Sequence, residues 1–565
     1  MKIFPKLLVL TAMLATIGWL SSCRHEAGAE EEGTDLEDLS QLKPVFYPLH
    51  IDSQSIAVFL QQYPLFDFHR EEVFAFYKQR NDQSAWFNEY GIVDQGGYFM
   101  NLLDHFSEEG LRDSVIYYST LNRMYHTISD PAYSYNGADS LTTQFELMLT
   151  STFFVYAQKV WYGLSEKTTR SLDWYVTRKT VPSVSILDSI LSGNASAFTA
   201  YEPLFPQYSL LKNALKKYHA IENEPWDSIA IPADRKTILL GDDLPVLSEI
   251  KRRLFLLGDL NTSDSTTLYD STTLAAVMMF QERHGLFADG SMGPKFFTAI
   301  NRTPAELIRR IEINMERCRW IPDQPGGDYI LVNIPEYTMH IYEADTQAWE
   351  MNVVVGKSST STTIFNDELE YIVFSPYWVP PPSILNNEIL PSLKKDPNYL
   401  QKQNMEAFNP STREVINVSK VDWSKYTSMP YSIRQKPGNS NALGWVKFLF
   451  PNEHNIYFHD TPSRDLFVRE SRGFSHGCIR LQEPKKLAQY LLRNDSTYTE
   501  QVIDSLYYLG RENYVKLENK IPVYIIYLTA WVDDNGLVQF RKDIYGHDAK
   551  LEQTMYGAPE VDLAN

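Results

Sequence analysis

The residues best equipped for chemistry lie in one stretch, Ile456-Tyr457-Phe458-His459-Asp460-Thr461-Pro462, followed by Gly473-Phe474-Ser475-His476-Gly477-Cys478-Ile479-Arg480. A cysteine nucleophile needs a base to take its proton and donors where a carbonyl oxygen turns negative. His459 closes an apolar run that reads as a strand, which would hold it rigidly, facing Cys478 across the loop. Gly477 lets the backbone turn closely, so the amides of Gly477 and Cys478 can aim at an oxyanion. Pro484 opens a helix running through Leu491, and a helix N-terminus nearby favours a thiolate. Two blander readings stand beside this one: metal ligation, or a buried cysteine with incidental histidines. No fourth ligand at finger-like spacing accompanies the two histidines, and His476 and Cys478 are only two residues apart. Ser-His-Gly-Cys beside a turn is polar for a core. From these residues alone, catalysis and burial both stay open.

The other two cysteines have separate readings. Met-Lys-Ile-Phe-Pro-Lys, an apolar run from Leu7 to Leu20, and Ser21-Ser22-Cys23 form the three regions of a signal peptide. The run is shorter than the roughly 20 apolar residues of a spanning helix. Leu20 to Cys23 also resembles the lipobox of bacterial lipoproteins, which implies cleavage before Cys23, lipidation of its thiol and a periplasmic, membrane-tethered protein. Glu26 to Glu37 is acidic and reads as a solvated tether. Cys318 shares a helical face with Leu307, Ile311 and Met315, the helix being opened by Thr303 as N-cap and Pro304 at N1, so it reads as a small buried hydrophobe. Three cysteines in 565 residues exclude a disulfide scaffold. With 71 acidic against 52 basic residues the net charge is −19, which opposes binding to phosphate backbones and argues against nucleic acid as a partner.

The elements that must position the constellation can be read from patterning. At 44% apolar the chain can bury several cores. From about Phe46 to Asp234 apolar residues recur at helical spacing, and Leu141 to Val160 reads as a buried helix whose Glu146 and Lys159 keep it out of a membrane. Helices from Leu247 through Leu256 and from Ser271 to His284 precede Gly285-Leu286-Phe287-Ala288-Asp289-Gly290-Ser291-Met292-Gly293-Pro294. That compact unit resembles the peptidoglycan-binding domain of many wall enzymes. From Tyr329 the texture becomes β: Tyr329–Ile334, Met339–Tyr342, Met351–Gly356, Glu370–Phe374, Val446–Phe450, Asn455–His459, Val523–Val532 and Val538–Phe540. Between Pro380 and about Pro437 a helical and loop-like stretch interrupts the strands as a candidate insertion or lid.

Ser475-His476-Gly477-Cys478-Ile479-Arg480, with His459 placed 19 residues before Cys478, closely resembles the active-site motif of L,D-transpeptidases. The likeness extends to Val353-Val354-Val355-Gly356-Lys357, Pro376-Tyr377-Trp378-Val379-Pro380-Pro381, Pro437 to Gly444 and Thr529-Ala530-Trp531-Val532, and the domain order resembles the large multidomain subtype. The fold class expected is therefore multidomain α+β. Its parts are a signal peptide (1–22), an acidic tether (23–45), an all-helical scaffold (46–235), a small helical peptidoglycan-binding-like domain (236–303) and a mainly-β catalytic domain (304–565) with a cap inserted at about 383–440. By that resemblance Cys478 attacks the carbonyl after the third residue of a tetrapeptide stem, expels D-Ala, and an amine of a second stem resolves the thioester into a 3-3 cross-link. His459 is implied as base, oriented by a backbone carbonyl such as that of Asp460. Ser475, His476 and Gly477 are implied as motif residues at the site, Arg480 as a structural or substrate-carboxylate partner, and Tyr457 and Trp378 as residues of the substrate cleft. No metal or organic cofactor is implied. A papain-like protease has its cysteine before its histidine, and a sortase has its arginine well beyond the cysteine; neither order matches. L,D-carboxypeptidase activity, protein anchoring and a non-catalytic wall-binding lipoprotein remain alternatives, because the acceptor is chosen by cleft and cap rather than by the nucleophile.

Overall fold

The computed structural model describes residues 49–111, 116–133, 139–178, 182–193, 205–262, 265–322, 326–412 and 414–557. All of them belong to one unit, Tyr47–Asn565. The signal peptide, Cys23 and the tether lie outside the described residues. Among the described residues no helix is long and apolar enough to cross a membrane.

The N-terminal region closes its own core around the helix Ser140–Tyr156, which runs on into a wider turn at Ala157–Tyr162. This helix is apolar on nearly every side, and its one buried carboxylate is fully engaged. Glu146 accepts from the backbone amides of Ala85 and Trp86 at 2.7 and 3.0 Å and from the Tyr77 hydroxyl at 2.9 Å. Burial pushes its pKa to about 7, so the bonds that hold it also meet the cost of burying it.

The helix Pro304–Trp320 joins the scaffold to the β region. Thr303 caps it and Glu306 reciprocates, as the Thr-Pro pair predicts, and Cys318 is buried on the inner face. Arg319 near its end is buried and bonds Val160 O, Glu109 O, the Tyr208 hydroxyl and Glu316, which fastens the helix to three scaffold elements. The small helical unit consists of Val246–Leu256, Ser271–Arg283 and Pro294–Ile300. Its Arg283 pairs with buried Asp259 and donates to Val538 O at 3.1 Å, tying the unit to the chain's last hairpin.

The β region is a ring. Its strands are β1 (Tyr329–Asn333), β2 (Thr338–Glu343), β3 (Thr346–Gly356), β4 (Phe365–Phe374), β5 (Val446–Leu449), β6 (Phe458–His459), β7 (Gly473–Ser475), β8 (Ile479–Leu481) and β9 (Asn513–Ile526). The order β3-β8-β6-β5-β4-β9-β1-β2 returns to β3, and β7 adds to the far part of β3. Long β3 makes this closure possible: its first half pairs with β2 and its last residues with β8 and β7. Inward side chains such as Val353, Phe448, Phe458 and Ile479 are buried in the common core.

Three sequence expectations are corrected. The Asn455–His459 run is a strand only at Phe458–His459, because Asn455 takes a left-handed φ of 56° and turns the chain. The late run Val523–Val532 is two elements: β9 begins ten residues earlier, at Asn513, and ends at Ile526, after which Ala530–Val532 pairs with Val538–Phe540 in a separate hairpin. The charged residues of β9's first half and a register shift between Lys516 and Ile521 hide its alternation. The insertion is also not merely helical and loop-like. After short helical turns over Pro382–Lys402 it contains a three-stranded sheet of Met405–Phe408, Val415–Ile416 and Ser432–Gln435, with a small core of Leu393, Leu400, Ala407, Trp423 and Ile433. Strands of two to four residues carry too few alternations to be recognised in sequence.

Candidate active site

Strands β6 and β8 run parallel, with Phe458 opposite Ile479 and His459 opposite Arg480. Ile479 donates to Tyr457 O at 3.2 Å, extending the register back to Tyr457 and Cys478. Because side chains alternate along a strand and Phe458 and Ile479 point into the core, Tyr457, His459, Cys478 and Arg480 share the opposite face. Four of the residues singled out in sequence thus meet at two adjacent strands, His459 and Arg480 on them and Tyr457 and Cys478 immediately before them.

His459 is buried, and its Nδ1 lies 2.6 Å from Asp460 O. A carbonyl only accepts, so Nδ1 carries the hydrogen and Nε2 is left as a bare acceptor. Burial, followed by the positive charge of Arg480, lowers the imidazole pKa to about 3, so the ring is neutral. Burial likewise pushes the Cys478 thiol up, while the Tyr457 hydrogen bonds and Arg480 pull the other way. Sγ approaches Asn455 O at 3.7 Å. The resting pair is neutral thiol and neutral imidazole rather than an ion pair.

Ser475 is buried beneath the turn. Its hydroxyl donates to Cys478 O at 2.6 Å and accepts from Gly477 N at 3.0 Å. This corrects the expectation for Gly477, whose amide is taken up by Ser475 and is not aimed at an oxyanion; the Cys478 amide remains the candidate donor. Gly477 itself has a φ of +119°, which suits glycine. Its carbonyl accepts from Thr362 Oγ1 at 2.7 Å, and Thr362 Oγ1 in turn accepts from Gly356 N at 2.9 Å. Lys357 N and Thr360 Oγ1 both donate to Ser475 O at 3.1 Å. The Val353–Lys357 segment therefore anchors the nucleophile's turn through Thr360 and Thr362, and Tyr545 holds Gly356 O at 2.6 Å. Nothing in sequence marked Thr360, Thr362 or Tyr545, which lie far from the motif.

Residues 327–504 match the family model described as the L,D-transpeptidase catalytic domain. This segment is similar to L,D-transpeptidase catalytic domains. Residues 71–215 match a scaffold domain and residues 245–300 a "Putative peptidoglycan binding domain". A Haemophilus influenzae protein named "Putative L,D-transpeptidase" is 33% identical over 248 residues, 44% of this chain and 50% of its own length. The chain thus spans about half the length of that curated relative. A solved L,D-transpeptidase from Stackebrandtia nassauensis aligns over 53% of this chain and 97% of its own at 14% identity, with a TM-score of 0.21. One from Xylanimonas cellulosilytica aligns over 53% and 100% at 15% identity, with a TM-score of 0.17. Scores this low establish no shared arrangement.

Two of the remaining motif residues face the inserted segment. His476 is partly exposed, with Nε2 3.2 Å from Glu388 on the inserted segment, so it touches the cap rather than the thiol. Trp378 exchanges backbone hydrogen bonds with Gln435 at the root of the cap and packs on the cap core. Trp378, Glu388, Gln403, Thr461 and Arg480 line a cavity of about 250 Å³ between cap and sheet. The helix Pro484–Leu491 forms as expected, but its start opens on a different cavity, of about 500 Å³, lined by Trp445, Asp460, Arg464 and Tyr508 and not by Cys478. Its N-terminus is therefore not the thiol's partner. A further cavity, of about 1230 Å³, lies against β1 and β2 and is lined by neither Cys478 nor His459. Among the described residues no group of three His, Cys, Asp or Glu side chains is placed to hold a metal ion.

Proposed function

We propose that this protein is a cysteine L,D-transpeptidase acting on peptidoglycan stem peptides. The observation that supports it most is the shared face of Tyr457, His459, Cys478 and Arg480 on paired strands, with His459 Nε2 left free to accept. In the reaction, Sγ of Cys478 attacks the carbonyl after the third stem residue and its proton passes to His459 Nε2. The tetrahedral oxyanion forms beside the Cys478 amide. The C–N bond then breaks, and His459 returns the proton to the leaving amine, D-Ala departing with both. The amine of a second stem attacks the thioester and gives a proton to His459, which passes it to Sγ as the C–S bond breaks, so that Cys478 is released as the thiol with a 3-3 cross-link formed. The match of residues 245–300 to a wall-binding domain supports the same substrate. The sequence of the first 23 residues supports a periplasmic location with a lipid on Cys23.

Incubation of the protein with disaccharide-tetrapeptide, followed by intact-protein and product mass spectrometry, tests this. A cross-linked dimer lacking one D-Ala, present with the wild type and Cys318→Ala and absent with Cys478→Ala, is the expected outcome. Tripeptide alone would make the enzyme an L,D-carboxypeptidase, transfer to a protein lysine an anchoring enzyme, and equal loss from both cysteine variants would defeat the assignment.

A further inference from the structure

The cavity of about 500 Å³ at the start of the helix Pro484–Leu491 has no part in the reaction drawn above, yet it adjoins the base. Its wall begins at Asp460, whose carbonyl takes the His459 hydrogen, and continues through Thr461 and Pro462, which also line the cavity beneath the cap. A space of this size holds a small ligand.

The lining says what kind. Its charges cancel: Asp460 pairs with Arg464 at 3.3 Å, Glu483 with Lys486 at 3.2 Å, and Lys485 with Asp504. No net field therefore favours an anion or a cation. The other surfaces are aromatic or neutral and polar. The rings of Trp445 and Tyr508 stand 5.2 Å apart at 74°, and Tyr508 is 60% exposed. Both are supported from behind, since Trp445 N donates to Asp460 at 2.9 Å and the Tyr507 ring lies 5.3 Å from that of Tyr508. Asn439 and Gln482 add side-chain amides, and Gln482, whose Oε1 accepts from Asn352 N at 3.2 Å, keeps its NH2 group as a donor. An exposed ring beside amides suits a ligand with an apolar C–H face and a rim of hydroxyl and N-acetyl groups. That is a pyranose rather than a stem peptide, which brings carboxylates and an amine.

Position says whose sugar it is. The amine that resolves the thioester must enter where the departing amine left, within reach of His459. In a 3-3 cross-link it hangs from the third residue of the second stem, so an extended stem sets its sugar roughly 13 Å away. The cavity wall from Asp460 to Arg464 lies no farther than about 4–18 Å from His459 along the chain. The donor's own sugar lies on the acyl side, beyond Cys478, which does not line this cavity.

We propose that this cavity holds a sugar ring of the acceptor strand, so that stems still attached to glycan are the preferred acceptors. This rests on the acyl-transfer reading above. The sugar is bound there and undergoes no chemistry.

The test acylates Cys478 in the full chain with a tetrapeptide stem, removes the excess, and follows transfer by mass to a tripeptide stem with or without its disaccharide. Tripeptides lack the departing residue and serve only as acceptors. Below saturation the wild type is expected to transfer to the disaccharide-tripeptide about 5–10-fold faster than to the free tripeptide. Tyr508→Ala should bring that ratio to within about twofold of one by slowing the disaccharide acceptor alone, and Tyr508→Phe, which keeps the ring, should retain most of it. Equal rates with both acceptors in the wild type would overturn the assignment while leaving acyl transfer standing. So would a Tyr508→Ala variant that slows both acceptors equally, or that slows acylation by a disaccharide donor instead. An acyl-enzyme resolved only by water makes the enzyme an L,D-carboxypeptidase and removes the acceptor site. Absence of any acyl-enzyme removes the acyl-transfer reading, and this assignment with it.

Discussion

Ser475 offers the sharpest test of how the nucleophile is held. Its hydroxyl bridges Gly477 N and Cys478 O, the two backbone groups that flank the cysteine's amide, and the residue is 2% exposed. Ser475→Ala removes both bonds and strands a buried amide and a carbonyl. Each lost bond is worth roughly 0.5–1.5 kcal/mol, and each stranded group costs about 1–3 kcal/mol unless the turn relaxes or water enters. The turn is also tied to Thr360 and Thr362, so relaxation is partial, and the competent geometry loses a net of about 1.5–3 kcal/mol. That lowers the acylation rate by about 10–10²-fold. The assay is single-turnover acylation by a tetrapeptide stem, monitored by mass, beside thermal melting. Because the loss is local in a chain of 565 residues, melting should move by less than about 3 °C. Ser475→Thr keeps the hydroxyl and should recover part of the rate. An alanine variant that acylates within twofold of the wild type would refute the claim that this hydroxyl holds the turn.

Two other residues carry predictions. His459→Gln should slow acylation by ~10²–10⁴-fold, measured in the same assay with iodoacetamide labelling of Cys478 as the check that the thiol stays accessible; a rate within threefold of the wild type would remove His459 as the base. His340 lies between Glu336 and Glu350 at 3.1 and 3.3 Å. Burial lowers its pKa but the two carboxylates outweigh that and lift it to about 10, above the ordinary 6.5. Its contribution to stability is therefore complete below pH 6.5 and disappears as pH rises toward 10, so the melting temperature should fall over that range by about 2–4 °C more in the wild type than in His340→Gln. Parallel pH profiles would show that the pair of carboxylates does not hold the proton.

The features legible in sequence and those concealed there divide along a physical line. The helix Pro304–Trp320 is legible because its signals are local: a Thr-Pro start and apolar residues on one face. The pairing of His459 with the Cys478 strand is legible through the family motif and through the β-branched and aromatic texture around it. The hold on the turn is not, because Thr360, Thr362 and Tyr545 reach Ser475, Gly477 and Gly356 across more than 100 residues through ordinary hydroxyls. The partner of the Gly477 amide is hidden for a related reason. A glycine in a turn announces that the backbone bends, but not which acceptor its N–H finds, and Ser475 two residues earlier is the nearer one. The cap's strands are concealed by their shortness, since two to four residues carry too few alternations to be recognised.

The neutral resting state connects these points. Burial raises the Cys478 thiol and lowers the His459 imidazole, so proton transfer between them is strongly uphill before a donor arrives. A protonated thiol is a weak nucleophile toward oxidants as well as toward carbonyls. The donor's carbonyl gives the attacking sulfur a place to put charge beside the Cys478 amide, so the thiol gives up its proton to His459 only as the S–C bond forms. His459 must then hold that proton until the C–N bond breaks, and the low basicity that burial and Arg480 impose on the imidazole favours its prompt return to the leaving amine.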